Sequence, residues 1–185
     1  MIFFDLECAH ARITQLKEWT EHDPFDPIQN KIICIVAQSH DSDEHVVFSG
    51  DDEAGMITEF FSFVGIQSVC WHNIKNFDLG FIVKRALIHW IKIPQRFKVY
   101  WEKPWNISGI YDTKEAWNYL SYNGKGTLND IAIALGIKSP KEDMDWSMVN
   151  VAYLDGRLDE IISYCKEDVR ATKEVYIKLH TLNFM

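Results

Sequence analysis

Apolar and polar positions along this chain fall into a run of short strand-like patterns that gives way to helical ones. Residues 2–7 alternate, with Ile2, Phe4 and Leu6 on one side and Asp5 and Glu7 on the other, as a half-buried strand does. Residues 31–39, KIICIVAQS, form a nearly unbroken apolar run of strand length and predict a second, buried strand. A third strand is expected over 45–49, after the polar turn around Asp41, Ser42 and Asp43. Beyond it the pattern predicts a helix over 52–64, a short strand over 68–72, and a helix over 77–91 closed off by Pro94. A further strand is expected over 97–101. Helices are expected over 113–120 and 127–135, the second opening on a Thr-x-x-Asp cap and stopping at Gly136. Residues 158–180 predict one long terminal helix. Strands, then strand–helix alternation, then helices describe an α/β protein with a mixed central sheet flanked by helices.

Two stretches qualify that picture. Between residues 8 and 30 the first two strands are joined by far more chain than a hairpin needs, a length typical of a functional or a disordered segment. Residues 123–127, NGKGT, lack the spacing of a phosphate-binding Walker loop and predict a turn and helix cap.

Composition narrows the class further. A chain of 185 residues suits one domain, expected over 1–185. Seven Trp and eleven Phe argue against disorder. No apolar run reaches the roughly 18 residues that span a bilayer, and the opening MIFFDLE lacks the basic lead-in of a secretory signal. No membrane partner is therefore expected, and the expected location is cytoplasmic. Cys8, Cys34, Cys70 and Cys165 have no metal-ligand spacing and read as small buried hydrophobes. A net charge of −8 sits awkwardly with phosphate binding. Against it, Lys75, Lys84, Arg85, Lys92, Arg96, Lys98 and Lys103 predict a locally positive surface.

The candidate chemistry is carboxylate. Side chains two apart on a strand share a face at roughly 7 Å, so Asp5 and Glu7 stand side by side at the end of a core strand. Unless that strand end simply emerges into solvent, such a pair needs a cation to neutralise it. Asp78 opens the helix after the fourth strand, where the helix dipole alone would also favour an acid. On the terminal helix Leu158, Ile161, Ile162, Cys165, Val169, Thr172, Val175, Tyr176 and Leu179 form one apolar stripe. Asp168 falls inside that stripe, whereas Asp159, Glu160, Glu167 and Glu174 fall outside it. A buried Asp there requires either a Lys or Arg partner or a metal. Tyr164, one turn before Asp168, sits at the stripe's edge, where core packing is the plain alternative to a chemical role. Together these positions offer four carboxylates and one hydroxyl, an oxygen-rich set suited to Mg²⁺ or Mn²⁺.

FFDLE, HNIKNFD and YCKED, in that order, resemble the three signature segments of the DEDD (DnaQ-like) 3′–5′ exonuclease superfamily. The tyrosine subclass is implied, since the position where the histidine subclass carries its His is Ser163. FDLEC, DPIQNKIICIV and Asp112-Thr113 further resemble stand-alone relatives of the proofreading exonuclease domain of family-B DNA polymerases. The chain leaves no room for a polymerase domain, so proofreading in cis is not expected.

The resemblance implies a ribonuclease-H-like fold and a two-metal mechanism that releases nucleoside 5′-monophosphates from the 3′ end of single-stranded DNA. It implies that Asp5 bridges two divalent cations, Mg²⁺ or Mn²⁺. Glu7 and Asp168 would complete the site of the water-activating ion, and Asp78 would support the second. Tyr164 would orient the water, and Leu6, Asn73 and Phe77 would hold the terminal nucleotides. Replication or repair proteins are the partners it suggests, and for such a nuclease the 8–30 connection beside Glu7 is expected to be a flap restricting entry to single strands. RNA as substrate, and a catalytically silent binding domain of the same fold, are the open alternatives.

Overall fold

The computed structural model describes residues 1–10, 23–99, 108–119, 124–140 and 144–182. Five strands form one sheet in the order β3-β2-β1-β4-β5: β1 (Ile2–His10), β2 (Asn30–Ser39), β3 (His45–Ser49), β4 (Val69–Trp71) and β5 (Ile110–Asp112). β1 pairs antiparallel with β2 and parallel with β4, so the sheet is mixed. Among the described residues six α-helices accompany it: α1 (Glu53–Val64), α2 (Asp78–Ile88), α3 (Thr113–Asn118), α4 (Leu128–Ala134), α5 (Trp146–Leu154) and α6 (Leu158–Thr181).

β1 and β2 lie at the centre and are buried along most of their length, which explains why both are so apolar. The two faces of β1 meet different partners. Phe4 packs on Phe60 of α1 with ring centroids 4.9 Å apart, while Phe3 meets Tyr176 of α6 edge-on at 5.4 Å. α1, with α2 beside it, covers one face of the sheet, and α6 covers the other with α4 and α5 against it.

The ladder carries one irregularity. Glu7 pairs with Cys34 but Cys8 pairs with Ile32, so β2 holds one residue more than β1 across this step. Such a bulge bends the strand and sharpens its twist, here beside the Asp5–Glu7 pair.

Several helix starts follow the expected capping chemistry. Asp52 caps α1 by accepting from the Gly55 N–H at 2.9 Å, and Thr127 with Asp130 forms a reciprocal capping box on α4. α4 stops ahead of Gly136, which takes the left-handed φ of 71° expected there.

Other expectations are corrected. α2 ends at Ile88 rather than 91, because Trp90 turns left-handed at φ 58° and the Ile91 N–H closes back on the Ala86 carbonyl at 2.8 Å. Pro94 therefore follows the stop without causing it. The strand expected over 97–101 is instead a 3₁₀ turn, Gln95–Phe97, whose Phe97 is buried against Phe61 at 4.9 Å. Residues 100 and 101 lie outside the described residues. β5 and α5 had not been foreseen. The long connection shortens to 11–29, since β1 runs to His10. Residues 11–22, which hold much of the expected flap, lie outside the described residues.

The expected basic surface is also thinner than its sequence suggests. Lys75 pairs with Glu115, Arg85 is buried against Glu53, and Arg96 donates to the carbonyls of Ile66, Gln67 and Ser108. Lys84, Lys92 and Lys98 are exposed, and Lys103 lies outside the described residues.

Candidate active site

Asp5 and Glu7 share the face of β1 that α6 covers. The carboxyl of Asp5 is buried, and its Oδ2 accepts a hydrogen bond from the Cys165 thiol of α6 at 3.3 Å. One ligand atom each from Asp5, Glu7 and Cys165 lie within 4.8 Å of one another, with Glu7 half-buried. Asp168, one turn beyond Cys165, is buried as its place on the apolar stripe predicts. Asp78 is buried at the first position of α2.

The electrostatics tie the four together. Burial, and then the charges of Glu7, Asp78 and Asp168, push the Asp5 carboxyl well above the usual carboxylate range. Burial likewise raises Glu7, with Asp168 and Asp78 adding to it, and raises Asp78, with Asp112 and Asp168 adding. Among the described residues no Lys, Arg or His forms a salt bridge with Asp5, Glu7 or Asp78. A group of clustered, buried acids without a protein counter-charge is stable as anions only with a bound cation. Oxygen donors of this kind fit a hard divalent ion. The thiol among them does not alter the fit, because burial and its neighbours hold Cys165 well above the ordinary thiol range, as an S–H that donates to Asp5.

Tyr164 lies at the rim, half-buried, with its hydroxyl bonded to Asp168. Burial, together with Asp168, Glu7 and Asp5, raises its phenol far beyond the usual value, so the group remains an O–H. On the other side of Tyr164 a cavity of about 590 Å³ opens, bordered by Lys138, Asp159, Glu160 and Glu167.

The approach to Asp78 is held by a residue whose chemistry had passed unnoticed. Asp112, at the end of β5, is buried, and its carboxylate accepts from the backbone N–H of Asn73 at 2.8 Å and of Lys75 at 3.3 Å. The same carboxylate caps α3 through Lys114 and Glu115. Asn73 sits in the left-handed region at φ 69°, a conformation Asn tolerates better than most residues. Next to it His72 bonds Thr113 at 3.1 Å, and burial with the nearby Lys114 brings its ring down to about 4, so it stays neutral. Asn73 and Phe77 thus flank the turn into Asp78, whereas Leu6 is buried on β1 beside Glu7. The Asp112 side chain could be suspected from sequence only as the cap of a short helix.

A mixed five-stranded sheet flanked by helices is the ribonuclease-H-like architecture of a polymerase exonuclease domain. The family model described as "Predicted 3'-5' exonuclease related to the exonuclease domain of PolB" matches residues 25–184, and the chain belongs to that family. Among solved structures, the chain is similar to the family B DNA polymerase of the hyperthermophilic archaeon Pyrobaculum calidifontis, with a TM-score of 0.74 at 18% identity. That match covers 99% of this chain, which spans 25% of the polymerase. Among curated proteins none matches.

Proposed function

We propose that this chain is a tyrosine-subclass 3′–5′ exonuclease that removes nucleoside 5′-monophosphates from the 3′ end of single-stranded DNA. The observation that carries the reading is the convergence of Asp5, Glu7 and Asp78, each raised by burial and by neighbouring carboxylates, with the buried Asp168, and with no salt bridge to Asp5, Glu7 or Asp78 among the described residues. These four residues are the ligands for two divalent cations, Mg²⁺ or Mn²⁺, which when bound supply the positive charge that activates water and stabilises the departing 3′ oxygen.

The protein's own groups supply the rest. Tyr164 donates to Asp168 and keeps its oxygen lone pairs for a proton of the attacking water, so it orients that water and does not deprotonate it. The water oxygen bonds to phosphorus and the P–O3′ bond breaks. The 3′ oxygen takes up a proton, and the water's own proton passes to solvent. Cys165 holds the Asp5 carboxylate in place. Asn73 and Phe77 grip the terminal nucleotides, aided by Leu6.

Digestion of 5′-labelled single-stranded DNA, mismatched duplex and RNA, with Mg²⁺, with Mn²⁺ or in excess EDTA, tests the reading. The expected result is a ladder of 3′-shortened DNA that requires metal. No cleavage of any substrate, or equal cleavage in EDTA, overturns it, while cleavage of RNA alone transfers the activity to the other sugar.

Asp112 gives a second expected outcome. Removing a partner that orients metal ligands typically costs about 10–100-fold in metal affinity or activity. Asp112→Ala frees the backbone of Asn73 and Lys75, so the Mg²⁺ concentration for half-maximal rate should rise within that range. An unchanged metal titration would show that this turn does not position Asp78.

A further inference from the structure

Two thiols share the face of β1 that carries the acids. Cys34 lies directly across the ladder from Glu7, so its side chain stands on the same side of the sheet as Asp5 and Glu7. α6 brings Cys165 down onto the same spot, where its thiol meets the Asp5 carboxylate at 3.3 Å and also bonds to Cys34. Both cysteines are fully buried, and neither is in a disulfide. One donor atom each from Asp5, Glu7 and Cys165 fall within 4.8 Å of one another, and Cys34 stands beside both Glu7 and Cys165. Two carboxylates and two sulfurs thus converge from β1, β2 and α6.

A hard ion has no use for the sulfurs. Mg²⁺ demands near-ideal octahedral oxygen geometry and keeps several waters, so it leaves Cys165 as an S–H. A thiophilic ion meets the same donors differently, because soft sulfur ligands select Zn²⁺ where carboxylates and waters suit Mg²⁺ and Mn²⁺. Zn²⁺ takes Cys sulfur at about 2.3 Å and carboxylate oxygen at about 2.0–2.2 Å in a tetrahedron, which sets adjacent sulfur and oxygen ligands roughly 3.5 Å apart. The separation of 3.3 Å between Cys165 and Asp5 is close to that edge. Four protein donors would also close the coordination sphere and leave no position for an attacking water, as in structural rather than catalytic zinc sites.

An ion can reach these donors without opening the core. Glu7 is half-buried and borders a cleft of about 300 Å³. The other two cysteines stand apart from the group. Cys8 turns its thiol to the Pro24 carbonyl, and Cys70 lies on β4 opposite Phe3.

We propose that Cys165 and Cys34 turn the Asp5–Glu7 pair into a mixed sulfur–oxygen site that captures a thiophilic divalent ion, Zn²⁺, and so withholds both carboxylates from Mg²⁺. On binding, sulfur–metal bonds replace the S–H bonds, and the thiol protons pass to solvent. The regulatory consequence rests on the reading of the acid cluster as a nuclease site: Zn²⁺ held through sulfur silences cleavage even with Mg²⁺ in excess.

Co²⁺, which substitutes for Zn²⁺ and absorbs by sulfur-to-metal charge transfer, reads the site without relying on turnover. The reduced, metal-free protein should develop that absorption with equimolar Co²⁺, lose it when Zn²⁺ is added and keep it in excess Mg²⁺. Cys165→Ser should abolish the absorption, Cys34→Ala should weaken it, and Cys70→Ala should leave it unchanged. In the cleavage assay, each variant is compared with its own rate in Mg²⁺ alone. Cys165→Ser should raise the Zn²⁺ concentration for half-inhibition by at least about 10- to 100-fold, the loss typical of removing even an outer partner of a metal site. Melting curves in EDTA verify that the variants fold, and the wild-type titration needs none of them. Absence of sulfur absorption in the wild type, the same absorption in Cys165→Ser, equal inhibition of wild type and Cys165→Ser, or cleavage sustained by Zn²⁺ alone each overturns the proposal. Cleavage in Mg²⁺ with no sulfur absorption leaves the nuclease reading intact and rejects the sulfur site; sulfur absorption with no cleavage of any substrate does the reverse.

Discussion

Asp5→Asn is expected to abolish exonuclease activity and, in the same preparation, to raise the melting temperature of the metal-free protein. The first effect follows from the charge lost at the centre of the acid cluster. Metal-ion stabilisation of a phosphoryl transition state is worth several kcal/mol, and about 4 kcal/mol is already a thousandfold in rate. The second follows from the cluster's cost in the absence of metal. Asp5 is buried beside Glu7, Asp78 and Asp168, and each of these charges opposes its ionisation. An amide of the same shape removes one like charge while its oxygen still accepts from the Cys165 thiol. Circular-dichroism melts in EDTA, read beside the cleavage assay, separate the outcomes. A lower melting temperature would assign Asp5 to structure, and retained activity would remove it from the site.

The largest loss of stability is expected at a different buried charge. Glu53, at the start of α1, accepts from the Ile32 N–H at 2.8 Å, from Arg85 of α2 at 2.8 and 2.5 Å, and from His89 at 2.7 Å. One carboxylate thereby joins β2 to both helices on that face of the sheet. Glu53→Gln leaves the Arg85 guanidinium buried without its counter-charge, a change that typically costs about 3–5 kcal/mol. The effect should depend on pH in a definite sense. Burial raises the Glu53 carboxyl, but the bonds from Arg85, Ile32 and His89 outweigh it and hold the group below its ordinary value of 4.5. The carboxylate's contribution is therefore fully present above that value and is lost as pH falls through the lower, folded one. Denaturant unfolding of wild type and variant should differ most near neutrality and converge in acid. A gap of the same size at pH 7 and well below pH 4, or none at neutrality, would refute this account.

Much of this architecture was visible in the order of residues, for reasons that can be named. β1 and β2 announce themselves because one alternates and the other is an apolar run of strand length. α6 is legible because its stripe holds a 3.6-residue period for most of its length, and the same period places Asp168 inside. β5 was missed because three residues, Ile110 to Asp112, are too few to display any period. α5 was missed for the opposite reason: with Trp146, Met148, Val151 and Leu154 outside and Val149 and Ala152 inside, it has no polar face to contrast with its buried one. The basic run misled because a charge count cannot tell that Arg85 and Arg96 spend their donors inside the fold. Within the site, Asp5 with Glu7, and Asp168, could be placed by local geometry, whereas the meeting of Asp78 with them is a tertiary fact. Cys165 reads in sequence as inert packing, and only the crossing of α6 over β1 makes it a partner of Asp5.

The extra residue in β2 opposite the Glu7–Cys8 step has a consequence for how the chain tolerates changes in length. Deleting Ile33 would let the two central strands pair without interruption, and every partner beyond the step, Cys8 with Ile32 through His10 with Asn30, could be kept. The sheet would absorb the deletion. The turn before β2 would not, because the bend that aims it would straighten and carry Phe25 away from Trp146. One residue thus sets apart two kinds of robustness, that of the scaffold and that of the contact between Phe25 and Trp146, and a screen for folding alone would accept the deletion as harmless.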